Sequence, residues 1–225
     1  DWGEETCNGE ELKLSWGGGV IRDFSIGEDL TQKNRRKYVI DFFGLTETEA
    51  VGASPEAFQF LVNSVKPHRI ENPRENYREN WWIFGEPRPG MRSGIAALSR
   101  FICTPETPEH RFFVFLPSDM ICDHSTFVIA TAEAENLGIL SSFIHVSWAK
   151  STGGRMGKGN QSKYRNTRCF ETFPFPDPDA ATRERIRDLG ERLDAHRKRQ
   201  QELHPDLTLT GIYNVLEKLR SGEPL

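Results

Sequence analysis

Two runs, Arg111-Phe-Phe-Val-Phe-Leu116 and Thr126-Phe-Val-Ile-Ala130, are apolar at almost every position. A strand with one wet face alternates apolar and polar side chains, so a run without alternation must be covered on both faces. These segments therefore predict a sheet with helices packed against it. The next segment supplies a cover: Leu137, Leu140, Ile144 and Trp148 recur three and four apart, which predicts one helix over 133–149. Lys37-Tyr-Val-Ile-Asp-Phe-Phe-Gly44 reads as a further strand closed by glycine. Ser54 and Pro55 mark a helix start, as N-cap and first helical residue, with Phe58, Leu61, Val62 and Val65 turned inward and an end before Pro67.

Phe173-Pro-Phe-Pro-Asp-Pro178 reads as an extended linker between subdomains. Beyond it, Ile186, Leu189 and Leu193 mark one amphipathic helix, and Ile212, Val215, Leu216 and Leu219 a second, with Pro205 between them. Asp177 and Asp179 read as caps rather than catalytic carboxylates. The expected fold is α/β: a mixed sheet with covering helices, plus a small C-terminal helical subdomain. With 225 residues there is enough chain for one large domain or two small ones. Fifteen Phe and five Trp exclude a disordered chain. No run approaches the roughly 20 apolar residues of a spanning helix, so no membrane partner is expected.

The formal net charge of −4 argues at first against a nucleic-acid partner, yet the charge is unevenly placed. Residues 1–60 carry a net of −6, whereas 145–170 hold Lys150, Arg155, Lys158, Lys163, Arg165 and Arg168 and no acidic residue. The mean hides a basic island. It begins at the C-terminal end of the expected helix and runs through Thr152–Gly159, a stretch with four glycines that reads as a loop. Phosphates need cations and approachable backbone N–H groups, and base edges need Arg, Asn and Gln. The island holds all of these, and the same composition also suits a solvated loop. A second cationic stretch, Arg74 to Arg92, interleaves Arg74, Arg78, Arg88 and Arg92 with aromatics. Glu71, Glu75, Glu79 and Glu86 nearly cancel its charge, and Trp81 and Trp82 read as core.

Enzymatic templates fail. Neither Gly17–Gly19 nor Gly153–Gly159 fits a nucleotide-binding fingerprint, and no H-E-x-x-H, G-x-S-x-G or zinc-deaminase pattern occurs. Cys7, Cys103, Cys122 and Cys169 lie far apart, without CxxC, and read as reduced thiols of a cytoplasmic protein. The chain starts at Asp1 without a targeting segment, as expected of a piece of a longer polypeptide. No catalytic residue and no metal ligand is assigned.

Four phrases carry a resemblance: Asn76-Tyr-Arg-Glu-Asn-Trp-Trp-Ile-Phe-Gly-Glu-Pro-Arg88; Leu137-Gly-Ile-Leu-Ser-Ser with His145 and Trp148-Ala149; Tyr164-Arg-Asn-Thr-Arg-Cys-Phe-Glu-Thr-Phe-Pro-Phe-Pro176; and Leu207 to Arg220. In this order and spacing they resemble the C-terminal part of the MmeI-like DNA methyltransferases, single-chain restriction–modification enzymes. The resemblance implies an N-terminal connecting segment over 1–36, a DNA target-recognition domain over 37–176 and a C-terminal helical domain over 177–225. It also implies that an upstream domain of the parent chain binds S-adenosylmethionine and methylates adenine at N6. Its Asn/Asp-Pro-Pro-Tyr/Phe motif is absent here, since the chain contains no Pro-Pro. This region would hold double-stranded DNA while a base is flipped, with no cofactor of its own. Carried over to these positions, base reading falls to Glu109, His110, Arg111, Arg155, Asn160, Gln161 and Arg165. Phosphate contacts fall to Lys150, Lys158, Lys163, Arg168, Arg88 and Arg92, which position without carrying sequence information. The alternative is a protein-interaction scaffold in which Trp81 and Trp148 dock other domains.

Overall fold

Phe101, Ile102, Cys103 and Thr104 follow one another along one strand, and all four are buried. Successive side chains of a strand point to opposite faces, so this sheet is covered on both sides. The computed structural model describes residues 15, 16, 19–156 and 161–224. Along the chain run β1 (Ile21–Ser25), α1 (Gly27–Thr31), β2 (Lys37–Ile40), α2 (Glu47–Ala53), α3 (Pro55–Ser64), α4 (Lys66–Ile70), α5 (Glu75–Glu79) and α6 (Pro89–Ile95). Then come β3 (Arg100–Pro105), β4 (Val114–Pro117), β5 (Ile121–Cys122), β6 (Thr126–Ile129), α7 (Ala134–Ser141) and α8 (Phe143–Thr152). The last elements are β7 (Gly154–Met156), β8 (Gln161–Lys163), a π-helical turn Asn166–Phe170, α9 (Ala180–Leu203) and α10 (Leu209–Ser221). The fold is mixed α/β, as the apolar runs require. Among the described residues no helix is long and apolar enough to cross a membrane.

The chain divides into two units. The first holds residues up to Phe24, Arg36–Gly90 and Asp119–Ile121. Its sheet has the order β2-β1-β5, with Ile21 opposite Ile40 in an antiparallel ladder. Phe42, Ala50, Ala57, Phe58, Leu61 and Trp81 are buried together there. Thr46 and Glu49 form a capping box on α2, and Ser54 Oγ accepts from the Ala57 N–H at 3.3 Å to start α3. Val65 ends α3, and Pro67 sits in the first turn of α4, where its missing N–H costs nothing.

The second unit holds Ser25–Arg35, Met91–Ser118 and the chain from Cys122 onward. Its antiparallel sheet has the order β4-β3-β6, with Ile102 between Phe115 and Ile129. One face packs Ile102, Phe113 and Phe115 against Leu137, Leu140, Ala149, Tyr164 and Cys169. The other packs Phe101, Cys103, Phe112 and Val114 against Leu30, Ile95 and Leu209.

Several expected elements differ. The strand expected from Arg111 begins at Val114, because the Phe112 carbonyl accepts from Thr104 Oγ1 at 2.7 Å instead of joining a ladder. The single helix over 133–149 is two: Ser142 turns extended (φ −65, ψ 153), and its hydroxyl caps the His145 N–H at 3.2 Å. After that break the helical spacing no longer applies, and Ile144 is 72% exposed. The expected Thr152–Gly159 loop is in part a strand, since Gly154–Met156 pairs with Gln161–Lys163 as a two-stranded ribbon, Arg155 opposite Ser162. The proline-punctuated segment is extended but not free, since Phe173 is buried edge-on to His145 at 4.6 Å. Arg183 ties its Asp177 to Glu135 on α7, and Asp179 caps α9.

Along α9 the buried residues are Gly190, Asp194 and Arg197, while Leu189 is half-exposed. A Cβ at Gly190 would overlap the Ala134 carbonyl oxygen, and one at Gly138 would stand 2.9 Å from Ile186 Cγ2. Helices α7 and α9 therefore approach closely, with Gly190 against the Ala134 backbone and Ile186 against Gly138. Arg197 then reaches the Phe113 carbonyl at 2.7 Å and the Tyr213 hydroxyl.

Candidate nucleic-acid interface

The basic island folds as the end of α8, the β7–β8 ribbon and the π turn. Gly153 is the joint between them: a Cβ there would overlap the Lys163 carbonyl oxygen and approach Cys169 Sγ to 3.2 Å. Tyr164 follows the ribbon into the core. Its ring is edge-on to Phe113 and Phe127, and its hydroxyl meets His145 Nε2 at 3.3 Å. His145 is buried, with Nδ1 2.9 Å from the Leu140 carbonyl oxygen. Burial pushes the Tyr164 pKa up and the His145 pKa down, the uncharged form being favoured in both.

The ribbon is fastened to the end of β3. The Tyr164 N–H donates to the Glu106 carbonyl at 2.8 Å, and Lys163 Nζ meets the Glu106 carboxylate at 2.8 Å. Arg111 completes the attachment. Its guanidinium donates to Thr104 Oγ1 at 3.0 Å, to the Pro105 carbonyl, to the Glu106 carbonyl at 3.1 Å and to the Ser162 carbonyl at 2.8 Å. Its Cζ lies 5.0 Å from the centre of the Tyr164 ring. Burial lowers its pKa to about 10, so it still carries its charge at neutral pH.

The residues expected to meet DNA sort accordingly. Arg111 is buried, with four acceptors of its own chain around it, which leaves no fork to offer a guanine. His110 is buried too, 2.6 Å from Asn214 Oδ1 and 3.4 Å from Glu217. Glu109 is exposed. Lys163 is held by Glu106. Lys150, Arg155, Arg165 and Arg168 are exposed and form no ion pair with a described residue; Gln161 is exposed at the ribbon's edge. Arg165 lies along the ribbon, its Nε 3.5 Å from where a Gly154 Cβ would be. Lys158 and Asn160 lie outside the described residues. Arg88 pairs with Glu86 at 2.8 Å in the first unit, and Arg92 lies on α6 with an interaction of its own. Sequence reasoning missed Glu106 and Gly153. Glu106 lies in Thr104-Pro-Glu-Thr-Pro108, where nothing marks it as an anchor, and Gly153 reads as an ordinary loop glycine.

Trp81 is buried and offers no docking ring, whereas Trp148 is half-buried and packs edge-on to Phe173. Among the described residues no three His, Cys, Asp or Glu side chains are grouped to hold a metal ion.

The described residues thus combine an α/β fold with a ribbon fixed to its sheet and the exposed cations Lys150, Arg155, Arg165 and Arg168 around it. The family model described as "MmeI, target recognition domain" matches residues 18–177, and the chain belongs to that family. DNA methyltransferase A of Bacillus subtilis (strain 168) is 35% identical over 72 residues, 31% of this chain and 8% of that protein. The fold is that of the Type IIL restriction-modification enzyme MmeI solved in complex with DNA, with a TM-score of 0.68 at 19% identity. That likeness covers 91% of this chain and 26% of MmeI, so the chain spans a small part of both relatives.

Proposed function

We propose that this chain is the DNA sequence-reading region of a site-specific DNA methyltransferase of a restriction–modification system. One observation carries the reading: within a single island, Arg155, Arg165, Arg168 and Lys150 are exposed around a ribbon whose inner residues are fixed. The major groove of B-DNA, about 12 Å wide, admits a two-stranded β-ribbon. Arg155 and Arg165 suit guanine edges, Gln161 and Asn160 suit adenine, and Glu109 can accept from a cytosine amino group. Lys150, Lys158 and Arg168 suit phosphates. The register puts Arg155 and Gln161 on opposite faces of the ribbon, so a ribbon lying in the groove offers a different reader to each wall.

In the parent enzyme an upstream domain would bind S-adenosylmethionine and methylate adenine at N6, in the cytoplasm. At Gly153 the backbone does not open onto such a cofactor. The space a glycine would offer it at Gly153 is filled by the Lys163 and Ala149 carbonyl oxygens. The chain's own task is to grip and orient the duplex while its neighbour reacts.

A titration of the 225-residue chain against random-sequence duplex DNA at several salt concentrations tests the reading. With three phosphates neutralised by Lys150, Lys158 and Arg168, log K should fall against log[salt] with a slope of about −2.7. Absence of binding at low salt overturns it.

A further inference from the structure

We infer that Arg111 is a positioning residue, a clasp that sets where the recognition ribbon stands on the sheet and thereby which bases it can read. This rests on the reading of the ribbon as the DNA-contacting element. Among the described residues three ties join ribbon to sheet, and all end on Thr104–Glu106, the end of β3 and the residue after it. They are the Tyr164 N–H to the Glu106 carbonyl, Lys163 to the Glu106 carboxylate, and the Arg111 guanidinium. Only the guanidinium spans both sides at once: its fork holds Pro105 and Glu106 carbonyls on one side and the Ser162 carbonyl on the other. Ser162 is the residue paired with Arg155 across the ribbon. A shift of Ser162 therefore carries Arg155 with it, and a misplacement of about 1 Å is enough to spoil a bidentate contact. A lysine in the same place keeps the charge but lacks the planar fork, so it cannot satisfy both sides together.

The test compares wild type with Arg111→Lys, Arg111→Met, Lys163→Gln and Arg155→Ala. The first readout is amide hydrogen exchange of 154–156 and 161–163. The second is affinity for a random-sequence duplex pool and for the same pool after selection on the wild-type chain. Arg111→Lys should exchange the ribbon amides about tenfold faster, the equivalent of one charge-assisted hydrogen bond. Its preference for selected over random duplex should fall by about the same factor, with the salt slope unchanged because every phosphate-facing cation is still in place. Arg155→Ala should lower preference and leave ribbon exchange as in wild type. If Arg111→Met does not fold, Arg111→Lys and Lys163→Gln carry the measurement. Unchanged ribbon exchange in Arg111→Lys overturns the clasp, and so does faster exchange with full preference retained. If wild type binds no duplex, the functional reading falls while the exchange result still decides whether Arg111 fixes the ribbon.

Discussion

The basic island contains two populations of cation that differ only in what lies behind them. At its root, Lys163 and the neighbouring Arg111 are bound to Glu106 and its surroundings, and their charge is spent inside the protein. At its rim, Arg155, Arg165 and Arg168 have the same chemistry and no partner ion among the described residues. Root cations hold a shape, whereas rim cations hold a potential. A residue type that looks like a DNA contact in sequence is therefore as able to be the fastening that makes contact possible.

The largest effect that would separate the two regions is at the root. Tyr164→Ala should cost about 3–5 kcal/mol, because it removes a fully buried aromatic ring that packs on Phe113 and Phe127. Chemical denaturation reads this directly, and a destabilisation below about 1 kcal/mol would mean the root is not core. At the rim, Arg155→Ala, Arg165→Ala and Arg168→Ala combined should leave stability within about 0.5 kcal/mol per site. Their effect belongs in the DNA titrations, where loss of Arg168 should make the salt slope shallower by about 0.9 and loss of Arg155 and Arg165 should lower the preference for selected duplex. A large fall in melting temperature would show that these side chains are structural after all.

Smaller effects sharpen the boundary. Ser142→Ala removes the cap that starts α8 beneath the island and should cost about 1 kcal/mol. Faster hydrogen exchange localised to α8 would check that the destabilisation is there. The smallest effect is the pH dependence of the root. Burial disfavours the charged form of His145 in the folded chain and holds its pKa below the ordinary value. The unfolded chain takes up a proton as pH falls through about 6.5, so this contribution is full above that pH and fades as pH approaches the folded value. The melting temperature should thus fall from about pH 7.5 to pH 5, and His145→Gln should flatten that slope.

Much of the fold was legible because its signals are local. Non-alternating apolar runs require a doubly covered sheet, and Ser54-Pro55 and Asp179 announce helix starts whatever surrounds them. The helix break at Ser142 was not legible, since Leu137 to Trp148 keeps helical spacing through it and only the cap geometry reveals the turn. Of the apolar stripe of α9, Ile186 lies against Gly138 at the crossing while Leu189 is half-exposed. A glycine crossing on α7 brings the backbones together, and the face that packs is then set by what can approach closely rather than by what is most hydrophobic.

By itself the sequence determined that this chain buries a sheet between helices, that 145–170 carries cations without an acidic residue, and which family it resembles. Those properties depend on the order and kind of residues along a short stretch. Which cation faces solvent was decided only by the tertiary structure. Arg111 and Arg155 lie 44 positions apart in the chain, yet both act on the Arg155–Ser162 pair, one from inside and one from outside. The charge of a guanidinium is the same in either place; what differs is whether backbone carbonyls surround it before DNA can.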